Sequence, residues 1–127
     1  MSVKTIYSHK APEPIGPYSQ AILFADLLFT SGQIALDPDT CEITGTDITS
    51  QTAQVLKNLT AVLQAGGASL NSVVKTTIYL KNMDDFPKVN EIYAQFFNKS
   101  FPARSTVEVS RLPKDVLIEI DCIAQVE

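Results

Sequence analysis

Tryptophan is absent from this chain, histidine occurs once, cysteine twice, and charged residues make up only 19% of 127 positions. Each shortage excludes something. A single histidine, His9, leaves almost no material for a histidine-based metal site or catalytic triad. Its polar N-terminal surroundings mark it as a solvated loop residue. Cys41 and Cys122 stand far apart and follow neither a disulfide framework nor a metal-ligand spacing. Cys122 falls in the most apolar segment and reads as a buried free thiol. Ten Lys and Arg against 14 Asp and Glu give a net charge of −4, with no basic cluster to contact phosphates. That balance argues against nucleic acid as a partner, although a local patch formed in an oligomer stays open. Residues 1–20 lack the apolar run of a signal peptide, and no segment is long enough to span a membrane. A reducing cytoplasm is the expected location.

What is present fits an ordinary α+β domain spanning residues 1–127, with 45% hydrophobic residues and room for a real core. Val3 to Ser8 is a short first strand. Residues 11–17, Ala-Pro-Glu-Pro-Ile-Gly-Pro, carry three prolines and so are neither helix nor central strand. This stiff arm is either a plain connector, the reading sequence alone favours, or a device presenting Tyr18. Residues 21–30 split at Ala25-Asp26 into a hairpin. Gly32, just beyond it, predicts a bulge or a close approach to the backbone.

From about Thr49 to Ala65 the periodicity is helical. Val55, Leu56, Leu59, Val62 and Leu63 share one stripe, Asp47 or Thr49 caps the start, and Gly66-Gly67 stops it. Val74 to Leu80 alternates as a strand. Asp84 is the expected cap of a second helix that tolerates Pro87 in its first turn and buries Phe86, Val89, Tyr93, Phe96 and Phe97. Asn90 lies at the edge of that stripe.

Residues 101–124 read as two strands around Leu112-Pro113-Lys114-Asp115. Arg104, Thr106 and Glu108 share one face of the first, and Glu119 and Asp121 share a face of the second with Leu117 and Ile123. Antiparallel pairing of the two would bring Arg104 near Asp121 and Thr106 near Glu119, a patch suited to a small anion. Taken alone, Arg104 and Glu119 suit an interstrand ion-pair arrangement with Asp121 better than a ligand site. The order β-ββ-α-β-α-ββ predicts a mixed sheet with two helices on one face and the other face left bare. Other subunits are the natural cover for it.

Several blocks together resemble the RidA (YjgF) family of enamine/imine deaminases. They are Ile15-Gly16-Pro17-Tyr18-Ser19-Gln20-Ala21, Thr30-Ser31-Gly32-Gln33, Val89-Asn90, Pro102-Ala103-Arg104-Ser105, Leu112-Pro113-Lys114-Asp115 and Ile118-Glu119-Ile120. The resemblance covers essentially the whole chain. It implies a chorismate-mutase-like fold assembled as a homotrimer, whose three sheets close an inner barrel with clefts between subunits. It also implies cofactor-free, metal-free hydrolysis of 2-aminoacrylate and 2-aminocrotonate, or their 2-imino acid tautomers, to 2-oxo acids and ammonia.

By matching position, Arg104 would clamp the substrate carboxylate and Glu119 would hold or deprotonate the attacking water. Ser31 and Gly32 would lie near that water, and Tyr18 of a neighbouring subunit would cover the ligand. Asn90 would stand near the cleft, and the Thr106 backbone N–H would face the carboxylate. Thr106 replaces a cysteine common in the family, so any thiol chemistry at that position is absent here. The alternative is a regulatory module that senses a small carboxylate in the same intersubunit cleft. An RNA-directed activity, attributed to some relatives, is disfavoured by the acidic balance and the lack of an aromatic-basic surface.

Overall fold

The computed structural model describes residues 2–127. Six strands and two long helices follow in the order β1 (Val3–Ile6), β2 (Ala21–Phe24), β3 (Leu27–Thr30), α1 (Ile48–Ala65), β4 (Val73–Leu80), α2 (Phe86–Phe96), β5 (Ala103–Glu108) and β6 (Ile118–Gln125). They build one mixed sheet in the spatial order β1-β2-β3-β6-β4-β5. Only the β4–β5 pair is parallel. Among the described residues no helix is long and apolar enough to cross a membrane.

Local chemistry sets the helix ends. The Asp47 carboxylate accepts the Ser50 backbone N–H at 2.7 Å and starts α1. Gly67, at φ +83°, supplies the left-handed residue that ends it. The expected stripe Val55, Leu56, Leu59, Val62 and Leu63 is fully buried against the sheet and α2. At α2 the expected cap is corrected. Asn82, not Asp84, accepts a backbone N–H, and it starts a short 3-10 turn over Met83–Asp85. Asp85 then precedes the helix without a side-chain capping bond. Asn82 wins because a 3-10 turn intervenes, moving the first unpaired N–H groups upstream of the helix proper.

The antiparallel pairing expected between the last two strands is overturned. β5 is an edge strand parallel to β4, and β6 lies on β4's other side, inserted between β3 and β4. The connection from β4 through α2 to β5 is a crossover, which returns the chain in the same direction. Residues 109–117 then pass over the end of β4, tied by Val109 N–H to the Leu80 carbonyl and by Lys81 N–H to the Leu117 carbonyl. Lys114 and Asp115, both at φ +56°, bend that passage, and Arg111 pairs with Asp115 at 2.8 Å.

Ile118, Ile120, Cys122 and Ala124 of β6 face the helices and are buried. The opposite face has no helix on it. There Phe24, Leu27, Phe29 and Val107 keep 43, 37, 39 and 42% of their surface exposed. Phe24, Leu27 and Phe29 share the β2–β3 end of that face, and exposed apolar side chains grouped in this way mark surfaces suited to contact with another protein.

Candidate functional site

Arg104 pairs with Thr76 in the β4–β5 register, and Thr76 faces the helices. The guanidinium therefore points to the helix side. Its Nη1 donates to Asn90 Oδ1 at 2.9 Å, and its Cζ lies 5.1 Å from the Phe86 ring centre and 5.0 Å from that of Tyr93. Stacking between two rings leaves the planar fork oriented with donors to spare. Tyr93 is itself fixed, its hydroxyl 2.8 Å from Thr76 Oγ1. A cleft of about 480 Å³ opens here, lined by Asn90, Tyr93, Ala94, Phe101, Pro102 and Arg104. Thr106, two residues along on the same face, buries its hydroxyl without a hydrogen-bond partner among the described residues.

Glu119 lies on the other side of the sheet. It pairs with Tyr79, and Asp121 pairs with Thr77, on the face away from the helices. Ile123 therefore does not share the face of Arg104, and Arg104 forms no ion pair with Asp121. Glu119 instead meets Tyr18, Ser31, Gly32, Gln33 and Pro113 around a cleft of about 320 Å³. Burial first, and the Asp121 charge second, raise the Glu119 carboxyl above the usual carboxylate range. Burial likewise raises Asp121, partly offset by a hydrogen bond from the Tyr79 hydroxyl at 3.1 Å and by the charge of Lys75.

The proline arm reaches this cleft because two side chains hold it. Gln20, 1% exposed, accepts the Ser8 backbone N–H at 2.6 Å and donates to the carbonyls of Ser8 and Pro12 at 3.1 and 2.9 Å. Ser31 Oγ donates to the Ser19 carbonyl at 2.6 Å, and Ser31 N–H to the Gln20 carbonyl at 2.9 Å. The Ser31 hydroxyl proton is thus committed to holding the Tyr18 segment, while its lone pairs remain free. Sequence reasoning missed Gln20. Its one legible signal was a polar residue flanked by the apolar start of β2.

The expected site residues therefore fall into two sets. Tyr18, Ser31, Gly32 and Glu119 come together on one side of the sheet; Asn90, Arg104 and Thr106 come together on the other. Among the described residues no group of three His, Cys, Asp or Glu side chains is gathered so as to hold a metal ion.

An α+β domain with this sheet order and two helices on one face is a known architecture. Residues 8–126 match the family described as Endoribonuclease L-PSP. A RutC family protein of Pyrococcus horikoshii is 59% identical over 124 residues, covering 98% of each chain. The chloroplastic Reactive Intermediate Deaminase A of Arabidopsis thaliana is 49% identical over 121 residues, 95% of this chain and 65% of that protein. The crystal structure of Escherichia coli TdcF with bound serine superposes with a TM-score of 0.93 at 41% identity, covering 98% of this chain and 99% of that one. The chain belongs to the RidA (YjgF) family.

Proposed function

We propose that this protein hydrolyses 2-aminoacrylate and 2-aminocrotonate, as their 2-imino acid tautomers, to 2-oxo acids and ammonia in clefts between the subunits of a homotrimer. One observation carries it: Arg104 and Glu119 lie on opposite faces of one sheet and cannot meet on a small ligand within one chain. A second copy laid against the bare face solves this. It covers Phe24, Leu27, Phe29 and Val107, and brings the Tyr18–Glu119 half of one subunit to the Arg104 half of another.

In that cleft two parallel N–H bonds from Arg104 hold the substrate carboxylate. Arg104 is the only cation lining either half-cleft among the described residues, which suits one small carboxylate better than a row of phosphates. Glu119 takes a proton from water as the water oxygen bonds to C2 of the imine, and the imine nitrogen gains a proton. The resulting carbinolamine collapses: its hydroxyl proton passes by way of Glu119 to the amino nitrogen, the C2–N bond breaks, ammonia departs and the 2-oxo acid remains. A carboxyl held above its ordinary range suits both steps, because it is a better base when ionised and can return the proton. Positioning and charge stabilisation are sufficient for a substrate that already hydrolyses slowly in water. The relative named as a reactive intermediate deaminase supports this chemistry. We place the reaction in the cytoplasm, where the free thiols of Cys41 and Cys122 persist.

The test is subunit complementation, with a pyridoxal-dependent dehydratase and serine supplying the imine. Arg104→Ala and Glu119→Gln proteins are each assayed alone, then unfolded together, refolded and assayed again. Each alone should lose ~100-fold or more in 2-oxo acid release. The mixture should regain about a quarter of wild-type activity, since most random trimers then contain one intact cleft. A stable monomer in sedimentation, or no recovery on mixing, refutes the shared cleft. Full activity of Glu119→Gln instead points to catalysis by positioning alone, whereas no 2-oxo acid release by the unmutated protein favours a carboxylate sensor.

A further inference from the structure

Gly32 is not needed for its backbone. Among the described glycines only Gly45 and Gly67 adopt positive φ, so any residue could take the Gly32 conformation. Space is another matter. A Cβ built on Gly32 would overlap Glu119 Oε2 and lie 2.7 Å from its Cδ and 2.9 Å from its Cγ. Its three nearest obstacles are all Glu119 side-chain atoms beyond Cβ, the far end of a flexible chain rather than backbone. Gly66 offers a contrast: a Cβ there would strike Leu28, 0% exposed and packed in the core. Nor, among the described residues, does a hydrogen bond fix the Glu119 carboxylate. Its place in the cleft is set by a vacancy.

We propose that Gly32 is a positioning residue: the missing side chain is the pocket in which the Glu119 carboxylate rests, and filling it turns that carboxylate out of the cleft while leaving the fold intact. The role rests on Glu119 being the base proposed above. It assigns Gly32 no contact with substrate. The segment after β3 stays tied to β6, because the Gln33 N–H to Ile120 carbonyl bond at 2.8 Å and its return at 3.1 Å do not involve the glycine side.

The experiment compares Gly32→Ala, Glu119→Gln, Glu119→Ala and the doubles Gly32→Ala/Glu119→Gln and Gly32→Ala/Glu119→Ala. Each is read by kcat and KM in the coupled assay, calorimetric titration with pyruvate, and thermal unfolding. Gly32→Ala should lower kcat by ~100-fold, the scale of a displaced catalytic group, with KM and pyruvate affinity within a few-fold. Adding it to Glu119→Gln should cost almost nothing more, since the two changes remove the same function. Any loss of melting temperature caused by Gly32→Ala should disappear in the Glu119→Ala background, where the overlapping atoms are gone. This arm decides the matter even if Gly32→Ala folds poorly. Wild-type kcat in Gly32→Ala, an equal kcat loss in the Glu119→Gln background, or an unfolding penalty that persists in Glu119→Ala would overturn the proposal. Full activity of Glu119→Gln would sink the base assignment instead, leaving the unfolding arm to judge the vacancy separately.

Discussion

The two clefts are built on opposite principles. Arg104 is held by what surrounds it: Asn90 accepts one N–H, and Phe86 and Tyr93 flank the guanidinium. Glu119 is held by what is missing, the Cβ of Gly32. A fixed cation that only has to orient a carboxylate gains from rigid clamping, since less rotamer freedom is lost when the ligand arrives. A carboxylate that must accept and return a proton gains from being half-buried yet unbonded, because each hydrogen bond to its ionised form would weaken it as a base. Clamping secures binding on one side, and vacancy preserves basicity on the other.

The sharpest way to break the contrast is at Arg104. Arg104→Ala should lower turnover ~100- to 1,000-fold, as loss of a preorganised charge contact does, with folding and assembly retained. Arg104→Lys should recover little, because a point charge lacks the fork and stacks poorly between Phe86 and Tyr93. Near-normal rates in either variant, measured in the coupled assay, would mean the carboxylate is clamped elsewhere.

Asp121 sharpens the other half. Its charge is the second cause, after burial, of the raised Glu119 carboxyl. Asp121→Asn should therefore move the acid limb of the kcat/KM profile to lower pH, with a change of only a few-fold at the plateau. The stability consequence has a definite sign. Groups raised in the folded state bind more protons there than when unfolded, so stability falls as pH rises from ordinary carboxylate values through the raised ones. Asp121→Asn should consequently raise the melting temperature at neutral pH and leave it nearly unchanged at pH low enough to protonate both states. An acid limb that stays put would show that Asp121 does not tune the base.

Thr106 gives the smallest effect. Its hydroxyl is buried without a partner, so Thr106→Val should stabilise by ~1 kcal/mol in thermal unfolding. Thr106→Cys should keep turnover within a few-fold, since imine hydrolysis needs no protein nucleophile. A large gain from the cysteine would assign the thiol a step that this chain has lost.

Much of this molecule was legible residue by residue. The α1 stripe, the Gly66-Gly67 stop, the hairpin at Ala25-Asp26, the alternation of β6 and the close approach at Gly32 are consequences of local periods and local sterics, which a linear string carries. What neighbours what was not. That Ile118 and Glu119 face opposite ways follows from the period of a strand. That β6 slips between β3 and β4, so that Arg104 and Glu119 end on opposite faces, follows from pairings 94 to 98 residues apart with β3 and 38 to 51 apart with β4, and from the handed crossover through α2. A period of two says which side chains share a face, and only the assembled sheet decides which face meets the helices and which stays bare.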